Sequence, residues 1–517
     1  MKTSNIILSV LGAFTVLCVT SSCRWDEPYL PLGTNPGDTT FNTIDTTNNP
    51  GITCPNYPDD VETILVNKCA TAGCHNSVSY VAASGLDLTS WKTMRRGNVA
   101  GAVVVPGNPD YSTLFSFCNT YNDLGFTGNE PKMPLNSSAL TRDEITTLKN
   151  WITNGARNRC GDLMFPNNQG TSKLYISNQA CDQVVAIDPD TRLIRSWFDV
   201  GNTPVTESPH MMGISPDGQY IYVSLYSKYL QRYRTVDNSF VDQVNLDITS
   251  ASGLEEAGQW GTIAISADGK KAYSVDYSLK RIASINLENF PLTAYVSLPL
   301  PALGRPHGVA LNQQDTKLYI TNQDGTNFSI MDTASTFINF AIASQNMLTI
   351  PMGGIGKNGH EIIFTTDYSK YMITCDASNE VRVFNTSDNS LHTAIPVGTF
   401  PQEFTISKTR PYLFVSCTED AIGNERGSIA VIDLNTFTLL KKIHTGTQPH
   451  GLAVDDARGI VYVANRNVDP SGDAPHHSGS CAGRNGYLTL IDMATLEMVP
   501  GYKCELGVNP YSVVLKN

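Results

Sequence analysis

The sequence has few charged residues and lacks the motifs of several common enzyme classes. Charged side chains make up 16% of the 517 residues, and acidic residues outnumber basic ones to give a formal net charge of -12. Because binding to nucleic-acid phosphates needs clustered Lys and Arg, this balance excludes nucleic acid as a partner. The chain also contains no G-x-S-x-G sequence, no phosphate-binding Gly loop and no H-E-x-x-H sequence. Hydrolase and nucleotide chemistry therefore have no support.

Apolar runs long enough to span a bilayer are also missing. The chain begins Met1-Lys2, and the apolar run that follows, Ile6 to Val19, is too short to cross a membrane. A short positive segment followed by such a run is typical of a secretory signal. The run ends in small residues directly before Cys23, which resembles the lipobox of bacterial lipoproteins. The resemblance implies that residues 1–22 are a signal peptide and that Cys23 becomes the lipidated N-terminus. An ordinary cleaved signal or an uncleaved anchor is the alternative.

The location that follows is the cell envelope. A lipidated Cys23 would hold the protein on the outer membrane, facing the periplasm or the cell surface. Residues 23–52 are mainly Thr, Asn, Pro, Gly and Asp with little apolar periodicity, so we expect a flexible linker there. The remaining chain is long enough for two or more domains, and its high content of Gly, Asn, Thr and Ser favours strands and turns over helices.

One short segment carries a candidate cofactor site. Cys69, Cys74 and His75 form a C-x4-C-H sequence. Two thiols and an adjacent His on one turn can hold a porphyrin by thioether bonds while the imidazole binds the iron. The usual spacing is C-x-x-C-H, from which this sequence departs by two residues. A Cys69–Cys74 disulfide and a zinc site are the alternatives.

The surroundings of this segment favour haem. Residues 61–68 are apolar at helical spacing, as expected for a helix that leads into a haem-binding turn. A capping box at Thr141 and Glu144 begins a later amphipathic helix. With the sequences at 106–114 and 132–135, these features make residues 53–160 similar to the cytochrome c family, in particular to the small single-haem domains fused to larger exported bacterial proteins.

The resemblance implies an all-α domain with one covalently bound haem c. Cys69 and Cys74 would form the thioether bonds, His75 would be the proximal iron ligand, and Met133 would be the distal ligand. A thioether ligand raises the reduction potential of a His-ligated haem, which suits electron transfer. A redox partner protein is therefore expected.

The second part of the chain, residues 168–517, repeats itself with a period of roughly 45 residues. Each unit opens with a short apolar strand and continues into a second strand that ends in a small or amide residue. Residues 175–178 match the second strand of a unit but have no opening strand before them. Residues 510–515 match an opening strand but have no second strand after them. We expect the two ends to complete one blade between them, so that the ring closes without a free sheet edge.

These repeats resemble the YVTN family of β-propeller repeats. The seven openings predict a seven-bladed β-propeller, and the whole chain is expected to be mainly β, with a small all-α cytochrome c domain at its N-terminus. The fold does not name the function, because propellers host many unrelated activities.

One position of the opening strands is rich in His. Four of the seven equivalent positions carry His, although the chain has only nine His. The seven residues are His210, Gly261, His307, His360, Gln402, His450 and Tyr511. Because opening strands line the axis, these side chains should meet at one mouth of the channel, where imidazoles can bind a metal or an anion. Hydrogen bonding of each His to a neighbouring blade, with a purely structural role, is the alternative.

Eight cysteines remain outside the leader, Cys23 and the haem segment. An even number in an exported protein favours disulfides, whose connectivity the sequence does not give. The insertion at 469–486 carries His476, His477 and Cys481, and long loops on a propeller face often carry function. The favoured alternative is a surface loop joined by a Cys481–Cys504 disulfide. Cys375 and Cys417 share one register in adjacent blades and are expected to be free buried thiols.

Three functions remain as hypotheses. The first is electron transfer, with the haem domain relaying electrons to a partner protein or to a site on the propeller. The second is a surface binding or scaffold protein with an accessory haem. The third is an oxidoreductase with an additional metal at the propeller mouth, held by His210, His307, His360 and His450.

Overall fold

Four short helices form the first part of the structure. The computed structural model describes residues 54–165, 167–247, 257–297, 299–336, 347–354, 357–422, 425–475 and 481–517. The helices are α1 (Asp59–Ile64), α2 (Trp91–Met94), α3 (Thr113–Cys118) and α4 (Arg142–Thr153). The predicted signal peptide, Cys23 and the linker lie outside the described residues. Among the described residues, no helix is long and apolar enough to cross a membrane.

Helix α4 begins and packs as its sequence predicts. The Thr141 side chain accepts a hydrogen bond from the Glu144 amide, and the Glu144 carboxylate accepts one from the Thr141 amide at 2.9 Å. This capping box satisfies two amides that the first turn leaves unpaired. The apolar face of α4 is buried in a core shared with the other three helices; its residues are Ile145, Leu148, Trp151 and Ile152.

Seven antiparallel sheets follow, and they confirm the predicted seven-bladed β-propeller. The first blade made of consecutive strands consists of β4 (Pro209–Ile214), β5 (Tyr220–Leu225), β6 (Tyr229–Arg234) and β7 (Phe240–Asn245). The second consists of β8 (Trp260–Ile265), β9 (Lys271–Asp276), β10 (Arg281–Asn286) and β11 (Thr293–Val296). The third consists of β12 (Pro306–Leu311), β13 (Lys317–Asn322), β14 (Asn327–Asp332) and β15 (Leu348–Pro351). The next two are β16 (Gly359–Phe364), β17 (Lys370–Cys375), β18 (Glu380–Asn385) and β19 (Leu391–Pro396); and β20 (Pro401–Ile406), β21 (Tyr412–Ile422), β22 (Glu425–Asp433) and β23 (Thr438–Ile443).

The last two blades join the two ends of the propeller. One consists of β24 (Pro449–Asp455), β25 (Ile460–Asn465), β26 (Asn485–Asp492) and β27 (Glu497–Met498), with β28 (Cys504–Val508) also paired to β26. The other combines the final strand β29 (Pro510–Lys516) with β1 (Lys173–Asn178), β2 (Gln183–Asp188) and β3 (Leu193–Asp199). The C-terminal strand therefore closes the ring as predicted, with Leu174 opposite Leu515.

The innermost strand of every blade starts with the same irregularity. In all seven blades the pairing register shifts at the beginning of that strand, which marks a β-bulge. A bulge breaks the strict alternation of side chains and re-aims one of them. Two consecutive side chains of an opening strand can therefore both face the axis.

The helical part packs against the last blade. The ring of Tyr111 stacks on Trp197 of β3, with centroids 4.4 Å apart and planes 5° apart. The Asn108 amide donates a hydrogen bond to the Trp197 carbonyl, and the Trp197 indole donates one to Gln183 at 3.0 Å. Val105 is buried in the apolar core of the propeller itself. The two parts thus share both apolar and polar contacts.

The cysteine pairing corrects one prediction. Cys481 is bonded to Cys181 and not to Cys504, which is a free buried thiol. Cys504 is the cysteine nearest to Cys481 along the chain, which is why that pair was expected. Ring closure instead brings Cys181, in the β1–β2 turn 300 residues earlier, next to Cys481. A second disulfide joins Cys54 to Cys160. Cys375 and Cys417 are free and buried, as predicted.

Candidate functional site

The structure offers two candidate sites, and the first is the turn that follows α1. The helix widens into a π-helical turn at Leu65–Cys69, where the Ala70 amide donates to the Leu65 carbonyl at 2.9 Å. Such turns insert an extra residue into a helix and are frequent at functional sites. The loop then folds back on itself, because the His75 amide donates to the Cys69 carbonyl at 3.1 Å. Gly73 permits this reversal with a φ of +81°.

Both thiols of the segment are free. Cys69 is buried and Cys74 is exposed, and neither forms a disulfide. The third thiol of this part of the chain, Cys118 on α3, is also free and buried. Burial raises the pKa of Cys69 to about 11 and that of Cys118 further, so both are held as thiols.

His75 is oriented by the backbone. Its Nδ1 lies 3.3 Å from the Leu86 carbonyl, and its ring is partly buried. Burial lowers the pKa of His75, which keeps the ring neutral. A neutral imidazole that donates from Nδ1 to a carbonyl presents the lone pair of Nε2, which is the usual arrangement of a metal-binding His.

The chemistry of these residues fits a c-type haem. Two free thiols and an oriented imidazole lie on one turn, and Met133 is a partly buried thioether packed against the helical core. Large apolar side chains are also left in solvent on the two segments concerned: Val78 is 93% exposed, Val81 64% and Leu135 56%. A porphyrin needs apolar surface of this kind to cover.

The second candidate site is the ring of His at one mouth of the propeller channel. The structure brings together all four predicted His, which are at most 5% exposed. The ring centroids of His307 and His360 are 4.1 Å apart, those of His210 and His307 5.6 Å, and those of His360 and His450 6.1 Å. Tyr511 completes the ring between His450 and His210 at 3.7 and 4.4 Å.

Hydrogen bonds to neighbouring blades hold several of these rings. Nδ1 of His307 lies 3.3 Å from the His360 carbonyl, and Nδ1 of His450 lies 3.2 Å from the Tyr511 carbonyl. The Gln179 amide lies 2.8 Å from Nδ1 of His210, whose Nε2 is 3.4 Å from Nε2 of His307. The contacts expected for a structural role are therefore present. They also aim ring nitrogens at the axis.

Two ring nitrogens have no partner. Nδ1 of His360 and Nε2 of His450 are buried and form no hydrogen bond. Burial lowers the pKa of all four His, so their rings are neutral. A neutral imidazole with an unpaired nitrogen is a ready ligand or acceptor.

Two carboxyl groups that the sequence prediction did not include lie next to the ring. Glu361 Oε1 is 3.3 Å from Nδ1 of His307, and Glu403 Oε1 is 3.9 Å from Nδ1 of His450. Burial raises the pKa of Glu361 to about 8, and burial together with the charge of Glu361 raises that of Glu403 well above its usual range. Both line a channel cavity of about 170 Å³.

The signal for these carboxyls was present in the openings. Each Glu directly follows a ring position, and no other opening carries an acidic residue there. Strict strand alternation would point Glu361 away from the axis, but the opening bulge brings it beside His307. His307, His360 and Glu361 together form a buried group whose ligand atoms all lie within 4.8 Å of one another and could hold a metal ion.

Comparison with known proteins supports the fold alone. No protein-family model matches the sequence, and no curated protein is similar to it. A putative 6-phosphogluconolactonase from Bacteroides fragilis has a TM-score of 0.50 at 12% identity, over 68% of this chain and 100% of that one. The periplasmic gluconolactonase of Pseudomonas aeruginosa has a TM-score of 0.50 at 15% identity, over 67% of this chain and 99% of that one.

A dihydro-haem d1 dehydrogenase covers more of the chain. It is similar over 79% of this chain and 98% of its own, at 14% identity and a TM-score of 0.45. That score adds nothing to the assignment of fold or function. The chain is thus a seven-bladed β-propeller preceded by a helical part.

Proposed function

We propose that this chain is an exported electron-transfer protein that carries one covalently bound haem c in its helical part. The observation that carries the proposal is the local geometry at Cys69, Cys74 and His75. Both thiols are free, while Cys54 and Cys160 of the same part are bonded to each other, and the His75 ring is anchored through Nδ1 with Nε2 left available.

Each of these residues has one role in the proposed site. Cys69 and Cys74 would hold the haem through thioether bonds, formed by addition of each S–H to a vinyl group without gain or loss of electrons. His75 would bind the iron through Nε2, and Met133 would supply a soft thioether ligand. Bound haem c supplies reversible one-electron transfer.

The proposed function requires a redox partner protein with which the haem would exchange electrons. A lipid on Cys23 would hold the protein on the outer membrane, where the linker 23–52 gives the rest of the chain room to reach such a partner. This part of the proposal rests on the signal-like N-terminus and its Cys. Radiolabelled lipid incorporation into the wild-type chain but not into Cys23→Ser tests it.

The haem is tested on full-length protein exported together with haem-maturation factors. We expect reduced c-type absorption bands and a mass increase of one haem on the peptide that contains Cys69 and Cys74. Cys69→Ser with Cys74→Ser should lose the covalent haem, while Cys375→Ser, which removes a buried thiol of the propeller, should keep it. A peptide map that shows Cys69 bonded to Cys74 or to Cys118 would overturn the proposal.

Two further variants test the two proposed iron ligands one at a time. His75→Ala should lose the low-spin spectrum altogether. Met133→Ala should keep the covalent haem but lower its reduction potential, because the soft ligand is gone. Met498→Ala, a half-buried Met of the propeller, is the matched control and should leave the potential unchanged. An unchanged potential in Met133→Ala would remove Met133 from the ligand set.

A further inference from the structure

The channel of the propeller combines three features that together indicate a ligand. Four buried imidazoles converge there, two of their nitrogens lack hydrogen-bond partners, and Glu361 lies against His307. Oε1 of Glu361 is buried and lies 3.3 Å from Nδ1 of His307 without forming a hydrogen bond. Buried polar groups left in this way are unfavourable unless something binds them.

We propose that the propeller channel binds one divalent transition-metal ion through His307, His360 and Glu361. Two imidazoles and one carboxylate are a ligand set that suits such ions, and their ligand atoms already lie within 4.8 Å of one another. This site is separate from the haem and does not depend on it.

The surroundings match what a metal site requires. The His307 ring is held in place by its contact with the His360 carbonyl, and the Thr321 hydroxyl donates to that same carbonyl at 2.7 Å. Outer contacts of this kind orient metal-binding imidazoles. Glu403 and His450 lie beside the three ligands and bring a second carboxyl and an unpaired Nε2 to the same space.

A cavity adjoins the site on the side of its carboxylate. The cavity of about 170 Å³ is lined by Glu361 and Glu403, and it can hold a few water molecules. Three protein ligands with an adjacent open position are the arrangement found at metal sites that bind a small molecule or water, whereas purely structural zinc sites are closed by four protein ligands.

Zn²⁺ is the probe for the test, because it is redox-inert and distinct from haem iron. Full-length protein, with any affinity tag removed, is dialysed against chelator and titrated with Zn²⁺ by calorimetry, and bound zinc is counted by mass spectrometry. We expect one zinc per chain. Glu361→Gln, which keeps the shape of the side chain, and His360→Ala should each weaken binding on the order of 100-fold or more.

His392→Ala is the matched control, since His392 is an exposed His on β19, outside the ring. It should bind zinc as the wild type does. Circular dichroism and haem content are measured on the same samples, so that a misfolded variant or a failure of haem attachment is recognised separately. Absence of zinc in the wild type, or unchanged binding in Glu361→Gln, overturns the proposal.

Discussion

In the Pro-His-Gly openings, close backbone contacts leave no space for a side chain on the Gly. A Cβ built on Gly308 would lie 2.6 Å from the His360 carbonyl oxygen and 2.8 Å from Cα of Glu361. At Gly451 it would lie 2.3 Å from the Tyr511 carbonyl oxygen. At these two positions the opening strand therefore approaches that of the neighbouring blade so closely that only Gly fits. This close approach is also what sets His360 and Glu361 against His307.

The first prediction concerns Gly308. Gly308→Ala should destabilise the protein by about 1–3 kcal/mol, because the clash is with backbone atoms that cannot rotate away. Chemical denaturation followed by circular dichroism measures the change. Gly170→Ala serves as the control, since its Cβ would meet only the Asn168 side chain at 3.5 Å; surface changes of this kind stay within about 0.5 kcal/mol. Equal stability of the two variants would show that the strands can separate at no cost.

At the level of the strands, ring closure depends on β29. This strand supplies the innermost position of the last blade, where Val513 pairs with Ile176 in the propeller core. Without it, β1 would present an unpaired apolar edge to solvent, and such edges favour aggregation.

Truncation after Asn509, which removes β29, tests this. We expect loss of the cooperative thermal transition and elution as aggregates in size-exclusion chromatography. Removal of Asn517 alone is the control, because this residue is exposed and lies beyond the strand; it should leave both properties unchanged. A monomeric, cooperatively folding truncation would mean that the other six blades close without the C-terminal strand.

The strands also show how far the sequence alone could go. The repeat period, the seven openings and the shared last blade were predictable, because period-2 patterns and turns specify blades locally. The convergence of His210, His307, His360 and His450 followed from register. The positions of Glu361 and Glu403 beside the His ring were not predictable, because each depends on a β-bulge at the start of its strand. A bulge breaks the strict alternation of side chains between the two faces of a strand. The Cys181–Cys481 bond was missed because ring closure, not chain distance, brings its two ends together.

In the molecule as a whole, the helical part and the propeller are held together by a contact centred on β3. The helical part has its own core, and it meets the propeller at Trp197 of β3. The Trp197 ring stacks on Tyr111, and the Trp197 backbone carbonyl accepts a hydrogen bond from Asn108. The Trp197 indole donates a hydrogen bond to Gln183 of β2 within the propeller. Trp197 is only 9% exposed. Aromatic pairs add about 0.5–1.5 kcal/mol beyond the area they bury.

The last prediction is that Trp197→Ala separates the two parts without unfolding the propeller. Removing a buried Trp costs about 3–5 kcal/mol. Trp197 belongs to the apolar cluster that also contains Val105 of the helical part, so we expect the loss to fall on this region. Hydrogen exchange read by mass spectrometry should rise in residues 54–165 and in β3, while the blades from β8 to β23 keep their protection. Leu440→Ala, at an exposed residue of β23, is the control and should change neither region. If protection fell equally in every blade, Trp197 would support the whole propeller and not mainly the contact between the parts. If it fell nowhere, the remaining contacts at Val105 and Asn108 would be sufficient to hold the two parts together.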